Sequence, residues 1–216
     1  VERAGVKNVI GPERIRRAFR INEMHRSFGV DCQLRRVGMA AACRHTARRA
    51  RRLLPALGAR PLDGRLELEL FRCMIRPDLD RIDLLVSFVM RSGTDLVARH
   101  LDEALDRGAR VRLLTTDYLY ITDAGALGFF LDRLGPALDA RVFSDPSTSF
   151  HPKAYMFWAS ESGEGVAFVG SSNLSRSGLS GGVEWNIETR HVGQLVGEFD
   201  RLWSDARSRP LTPDWL

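Results

Sequence analysis

Five polar residues in the C-terminal third of the chain have the side chains needed for chemistry on a phosphate ester. They are His151 and Lys153 in "FHPKAYMFW", Ser171 and Asn173 in "GSSN", and Glu184 in "GVEWN". A neutral imidazole can attack phosphorus, and a fixed cation beside it offsets the charge on the non-bridging oxygens. These residue types together predict a phosphoryl-transfer site that works without a metal ion.

The spacing of His151 and Lys153 suits a β-strand. Residues i and i+2 of a strand lie on the same face, so an imidazole and an ammonium group are expected side by side, with Pro152 facing away. Lys153 is one of only two lysines, beside 30 arginines. The forked guanidinium of arginine suits bidentate contacts, whereas lysine supplies a compact point charge. We therefore predict that Lys153 acts next to His151.

The "GSSN" segment, residues 170–173, is placed where a strand turns into a short helix. Gly170 permits a close backbone approach there, and the backbone amides can face an anion. Ser171 and Asn173 add neutral donors for phosphate oxygens. Glu184 could orient an imidazole through its second ring nitrogen, as an acidic partner does in other histidine-based sites.

Several other kinds of site are excluded by missing motifs. The chain has no P-loop, no G-x-S-x-G elbow and no zinc-ligand spacing. Neither Lys7 nor Lys153 follows an acidic residue by two positions, as a carboxylate-based metal nuclease requires. Cys32, Cys43 and Cys73 match no metal or disulfide spacing and are interpreted as buried or idle thiols. No metal and no cofactor are expected.

Hydrophobic periodicity predicts an α/β fold for the part of the chain that carries these residues. The apolar run "RIDLLVSFVM", an amphipathic helix and "RVRLLTT" form a parallel βαβ unit. "HPKAYMFW" and "GVAFVGS" are predicted as adjacent strands, and "VGQLVGEFDRLWSDA" as a closing amphipathic helix. The expected architecture is a mixed, largely parallel sheet flanked by helices.

Basic and acidic residues are distributed unevenly along the chain. Residues 1–60 hold 15 Arg and Lys against 4 Asp and Glu, whereas residues 61–216 hold 17 against 23. A basic arm suggests nucleic acid or another polyanion as partner, although an Arg-rich composition without any partner explains it equally well. We divide the chain into an uncertain basic segment, 1–60, a folded domain, 61–207, and a tail or linker, 208–216. No leader and no membrane-spanning run is apparent, so a cytoplasmic location without membrane contact is expected.

The motifs "FHPKAYMFW", "AFVGSSNLSRSGL" and "GVEWN" resemble the phospholipase D (PLD) superfamily, whose signature is H-x-K-x4-D followed by G-[ST]-x-N. The resemblance covers roughly 80–205 and is closest to the nuclease branch, in particular the PLD-like domain found N-terminal to bacterial DEAD/DEAH-box helicases and in single-motif restriction endonucleases. It implies a PLD-like fold. It also implies His151 as nucleophile or acid, Lys153, Ser171 and Asn173 as phosphate contacts, and Glu184 as the acid that orients the histidine.

One position departs from the signature. Trp158 stands where the aspartate is expected, five residues after Lys153. In the broad family this aspartate supports the structure and the partner site. Its loss disfavours a lipid phosphodiesterase but is compatible with the nuclease branch, where Glu184 can serve instead. Trp158 itself is most simply a core aromatic residue.

The resemblance also implies a homodimer. The family mechanism uses two histidines, one that forms a phosphohistidine and one that protonates the leaving oxygen. This chain has a single H-x-K half-site, so a complete site needs two copies of 151–173 across a two-fold axis. The remaining histidines are expected to be structural or surface residues: His25, His45, His100 and His191.

The function implied is a metal-independent phosphodiesterase that cleaves DNA as an endonuclease through a phosphohistidine, as a module working with a helicase in a restriction or repair system. Two alternatives stay open: a catalytically silent PLD-like module that binds DNA, and a lipid phosphodiesterase. Arg176 and Tyr118 are further candidates for nucleic-acid contacts. A solvated surface role for Arg176 and a packing role for Tyr118 are the simpler alternatives.

Overall fold

The computed structural model describes residues 58–62 and 65–215, so nearly all of the predicted basic segment lies outside the described residues. The strands are β1 (Ala59–Pro61), β2 (Arg81–Val86), β3 (Arg110–Thr116), β4 (Leu138–Phe143), β5 (Lys153–Ala159), β6 (Glu164–Gly170), β7 (Asn186–Thr189) and β8 (Ser208–Pro210). The helices are α1 (Leu66–Met74), α2 (Arg91–Asp106), α3 (Ala124–Leu134) and α4 (Val192–Trp203). Short helical turns span Tyr118–Tyr120, Gly135–Ala137, Ser177–Gly181 and Pro213–Trp215.

The eight strands of the described region form one sheet in the order β1-β7-β6-β5-β2-β3-β4-β8. The mixed α/β class and the parallel β2-α2-β3 unit are confirmed. The sheet is mostly antiparallel, however, not largely parallel, because only the β2–β3 and β3–β4 pairs are parallel. The reason is the length of the connections. Residues 160–163 alone join β5 to β6, and such a short link permits only an antiparallel pair.

The two faces of the sheet are covered by different helices. One face packs against α1, α2 and α3 around a large apolar cluster that includes Tyr155 and Phe157. The other face packs against α4, where Met156 meets Phe199 and Trp203. The alternation along β5 is that of a strand buried on both sides, and it fixes which face each residue can reach.

The sheet extends beyond the predicted 61–207 domain at both ends. The edge strand β1 begins at Ala59 and pairs with β7, and the edge strand β8 adds 208–210 to β4. Cys73 is buried with a free thiol, and burial raises its pKa to about 12, in line with the prediction of an idle thiol. In the described region, no helix is both long and apolar enough to cross a membrane.

Candidate active site

The predicted site residues meet at one edge of the sheet, here meaning a side formed by strand ends and not an outer strand. The carboxyl ends of β2, β3 and β6 and the amino ends of β5 and β7 form this edge. Since β5 lies in the middle of the strand order, its first residues are flanked on one side by β6 and β7 and on the other by β2 and β3. His151 and Lys153 therefore stand at the centre of the edge.

Lys153 is the first residue of β5 and is only 5% exposed. Its Nζ lies 2.7 Å from Nδ1 and 3.2 Å from Nε2 of His151, and it donates to the His151 carbonyl oxygen at 2.9 Å. A longer contact of 3.5 Å reaches Ser87 Oγ, at the end of β2. An ammonium group can only donate hydrogen bonds, so the ring nitrogen that it meets must be unprotonated and the imidazole neutral.

Electrostatics favour that neutral imidazole. Partial desolvation of the ring, which is otherwise exposed, and then the charge of Lys153 lower the pKa of His151 below its ordinary value of 6.5. Burial also lowers the pKa of Lys153 below 10.5, while the nearby Glu184 carboxylate acts in the opposite direction. The shift of His151 favours the neutral nucleophile that attack on phosphorus requires, while Glu184 counteracts the loss of the Lys153 charge beside it.

This coupling predicts a measurable shift. In Lys153→Met, the pKa of the His151 imidazole should rise, because a positive charge next to the ring is removed while its burial remains. An NMR titration of the ring protons measures this, with the His151 resonance assigned by its absence in His151→Gln. Lys153→Arg keeps the charge and should leave the pKa low. A pKa in Lys153→Met equal to or below that of the unmodified protein would contradict the coupling.

The "GSSN" loop follows β6 and is held from two sides. Gly170 is needed because an added Cβ would lie 2.2 Å from the Trp185 carbonyl oxygen and 2.4 Å from Asn186 Oδ1. On the other side, Asn173 Oδ1 accepts from the Phe88 amide at 3.2 Å. This hydrogen bond fixes the orientation of the amide, whose Nδ2 is the group that can donate to a phosphate oxygen. Ser171 is exposed at the same edge.

Glu184 lies in the loop before β7, and its carboxylate accepts a hydrogen bond from Ser171 Oγ. Among the described residues its side chain makes no hydrogen bond to His151, whose ring contacts Lys153 instead. The structure thus brings Glu184 to the site through Ser171. The role of Glu184 in orienting the histidine is not realised within this single chain and remains a prediction for the assembled site.

The other predicted positions have simpler surroundings. Arg176 is exposed just beyond the loop, and Tyr118 is half-buried after β3. Trp158 packs on the α4 side at the far end of β5, roughly 17 Å along the strand from Lys153. His100 stacks on Phe71 with ring centroids 4.1 Å apart, as expected of a structural histidine, and His25 and His45 lie outside the described residues.

Three site features could not be found from sequence motifs. Ser87 Oγ donates to the Pro152 carbonyl oxygen at 3.0 Å and so ties β2 to the H-x-K segment. Ser172 is fully buried and accepts from Asn186 Nδ2 at 2.9 Å. A half-open apolar groove of about 280 Å³ lies on the α4 face at the start of β5, on the opposite side of the sheet from the Lys153 side chain. In the described residues no group of three or more His, Cys, Asp or Glu could hold a metal ion.

A family comparison identifies the class of protein that this fold and site define. The family model described as "Cardiolipin synthase, PLD-like domain" matches residues 75–203, more than half of the chain. The chain belongs to this PLD-like domain family. A search of curated protein sequences gave no match.

Solved structures share the fold at low sequence identity. Nuc from Salmonella typhimurium, described as a phospholipase D family member, has a TM-score of 0.53 and 12% identity, with 71% of this chain and 98% of that chain covered. NucT from Helicobacter pylori has a TM-score of 0.50 and 12% identity, with 71% and 99% covered. Phosphatidylserine synthase from Haemophilus influenzae Rd KW20 has a TM-score of 0.52 and 12% identity, with 71% and 40% covered.

Proposed function

We propose that the protein is a phosphodiesterase that cleaves DNA, working without a metal ion and as a homodimer. The observation that carries the proposal is the buried Lys153, held 2.7 Å from the His151 ring at the sheet edge that also carries Ser171 and Asn173. Membership of the PLD-like family supports phosphodiester chemistry. DNA as substrate and a helicase as partner rest on the resemblance to the nuclease branch.

The chemistry begins with the neutral imidazole of His151. When a phosphate oxygen draws the Lys153 ammonium away, a ring nitrogen is released and can attack phosphorus. A nitrogen–phosphorus bond forms, the bond from phosphorus to the leaving oxygen breaks, and that oxygen takes a proton from a second histidine. Water then attacks the phosphohistidine, gives its proton to the second histidine, and the nitrogen–phosphorus bond breaks.

The second histidine is the reason for proposing a dimer. Within the described residues, His100 is stacked on Phe71 and His191 follows β7 at the opposite edge of the sheet, so neither can serve at this site. His151 of a second copy is the simplest donor, and a two-fold axis near Lys153 would pair the two half-sites. Lys153 and Asn173 would then hold the phosphate from both subunits, and Ser171 would join them once its hydroxyl turns from Glu184 to a phosphate oxygen.

The test is cleavage of plasmid DNA by the full chain in the presence of EDTA. We expect nicked and then linear DNA to accumulate at an unchanged rate after chelation, because histidine supplies the nucleophile. Cleavage that stops with EDTA and returns with added Mg²⁺ would contradict the metal-independent mechanism. DNA that is bound but never cut would favour the silent DNA-binding module.

A lipid phosphodiesterase is a second candidate because the matching family model is described as "Cardiolipin synthase, PLD-like domain". Phosphatidylglycerol vesicles in the same assay distinguish the two, since hydrolysis of the lipid without cleavage of DNA would favour the lipid.

A further inference from the structure

We propose that Trp185 and Tyr120 stack on unpaired nucleobases on either side of the bound phosphate, so that the preferred substrate is single-stranded or locally unpaired DNA. This inference rests on the proposed function, because it takes the His151–Lys153 pair as the phosphate site. The observations are two strongly exposed aromatic residues at the same sheet edge, Trp185 at 72% and Tyr120 at 81% exposure.

Trp185 is fixed next to the predicted phosphate contacts by its backbone. Its amide donates to Ser171 Oγ at 3.0 Å, and its carbonyl oxygen accepts from the Ser171 amide at 3.1 Å. The backbone is thus hydrogen-bonded twice to one residue of the "GSSN" loop, while the indole remains in solvent. Together with the exposed Val183, the indole presents an apolar surface next to Ser171.

Tyr120 is presented by a strained turn after β3. Leu119 and Tyr120 have φ values of 60° and 54°, in the left-handed region that residues other than glycine seldom adopt. The turn is also attached to the site. Thr122 Oγ1 donates to the carbonyl oxygens of Thr116 at 2.9 Å and of Ser87 at 3.2 Å, and Ser87 contacts Lys153. Strain held in place by such contacts is typical of a functional segment.

The two aromatic residues lie on opposite sides of the phosphate site. Trp185 immediately precedes β7, two strands from β5 in one direction, and Tyr120 follows β3, two strands from β5 in the other. With strands about 4.8 Å apart, β7 and β3 are each roughly 10 Å from β5 across the sheet. A cationic centre with an aromatic ring on each side is the pattern by which proteins bind single strands, the charge taking the backbone and the rings taking bases.

An unpaired base suits these surfaces better than the apolar face of a second copy would. At this edge the exposed apolar side chains fall into two separate sets, Leu119, Tyr120 and Ile121 in one and Val183 and Trp185 in the other. His151 and Lys153, at the start of β5, lie between β3 and β7, the strands that adjoin the two sets, and these polar groups favour a charged ligand. A base within a duplex already stacks on its neighbours and cannot offer its face to a side chain, so unpaired bases are the expected occupants.

The experiment measures binding in the full chain carrying His151→Gln, so that no substrate is cut. Fluorescence anisotropy compares a short oligothymidylate with an abasic sugar-phosphate oligomer of the same length. We expect the base-bearing oligomer to bind about tenfold or more tightly, and Trp185→Ala or Tyr120→Ala to lower that ratio towards one. Trp185→Phe keeps a ring and should retain most of the ratio. Ile75→Ala, which truncates a residue 58% exposed at the opposite edge, is the matched control and should leave the ratio unchanged.

The outcomes separate this inference from the proposed function. Equal affinity for the base-bearing and abasic oligomers would overturn the stacking role, even if the unmodified protein cleaves DNA. A preserved base-dependent ratio in a protein that never cleaves DNA would support stacking and count against the nuclease. If sedimentation shows that Trp185→Ala turns a dimer into a monomer, these residues belong to a self-association surface and the inference fails. Circular dichroism confirms that each variant is folded.

Discussion

His151→Gln is expected to lower the rate of DNA cleavage by roughly 10⁴-fold or more while leaving the fold intact. The side chain is exposed at the start of β5, so its replacement disturbs little packing. The chemical loss is large because the amide of glutamine cannot act as a nucleophile or transfer a proton. In a homodimer each subunit would lose its histidine, so that attack on phosphorus and protonation of the leaving oxygen fail together. The initial rates of plasmid cleavage by His151→Gln and by the unmodified protein, both measured in EDTA, give this ratio.

His191→Gln is the matched control for this prediction. His191 is also exposed, but it follows β7 at the opposite edge of the sheet. Its replacement makes the same chemical change away from the site and should leave the rate within about twofold, as for most surface substitutions. Equal rates for His151→Gln and the unmodified protein would show that cleavage arises elsewhere or from a contaminating nuclease. Mixed dimers of mutant and unmodified subunits would test the shared site, since one histidine alone should not support turnover.

The contact within the H-x-K pair is predictable from sequence because residues i and i+2 of an extended segment lie on one face, although β5 itself begins only at Lys153 and not at His151 as predicted. His151 and Lys153 are two residues apart, and the structure shows their side chains in contact. The β2-α2-β3 unit is predictable for a similar reason, since apolar runs and a helical repeat report local structure. The chemical roles of these residues stay predictions, because contact in a single chain does not determine a reaction.

Features that depend on the pairing of distant segments were not predictable. The contact of Glu184 with Ser171 follows from the register of β6 with β7, in which Gly170 faces Asn186. No local pattern in the sequence gives this register. Trp185 directly precedes β7 and is a residue type that is usually buried. It is nevertheless exposed, because it lies in the loop beyond the end of the strand. The direction of the strands also depends on which distant strands pair.

A buried charge on β3 is a further feature that was not predictable from the sequence, and it is the basis of the second large prediction. In "RVRLLTT" the residue Arg112 has the pattern of a solvent-facing arginine, but α4 covers it to 4% exposure. Its Nε and one terminal nitrogen donate to the two carboxylate oxygens of Asp83 at 2.7 and 2.9 Å. The same terminal nitrogen donates to Asp200 at 2.7 Å. The guanidinium also lies over the Phe199 ring, 4.5 Å from its centroid. One side chain thus joins β2, β3 and α4.

Arg112→Met should therefore lower the free energy of unfolding by about 3 kcal/mol, at the low end for a broken buried pair, because the Asp83 carboxylate stays buried and keeps only Arg81, whose Nε donates to it at 2.7 Å. Arg110→Met is the matched control. Arg110 lies two residues earlier on the same face of β3, and its pair with Asp139 is exposed, so a loss below about 1 kcal/mol is expected. Urea unfolding measures both values, provided that the free energy of unfolding falls with urea concentration at the same slope in both variants. Equal losses for the two variants would contradict the argument. Asp83→Leu combined with Arg112→Met should recover part of the loss, because the buried carboxylate is then removed together with its partner.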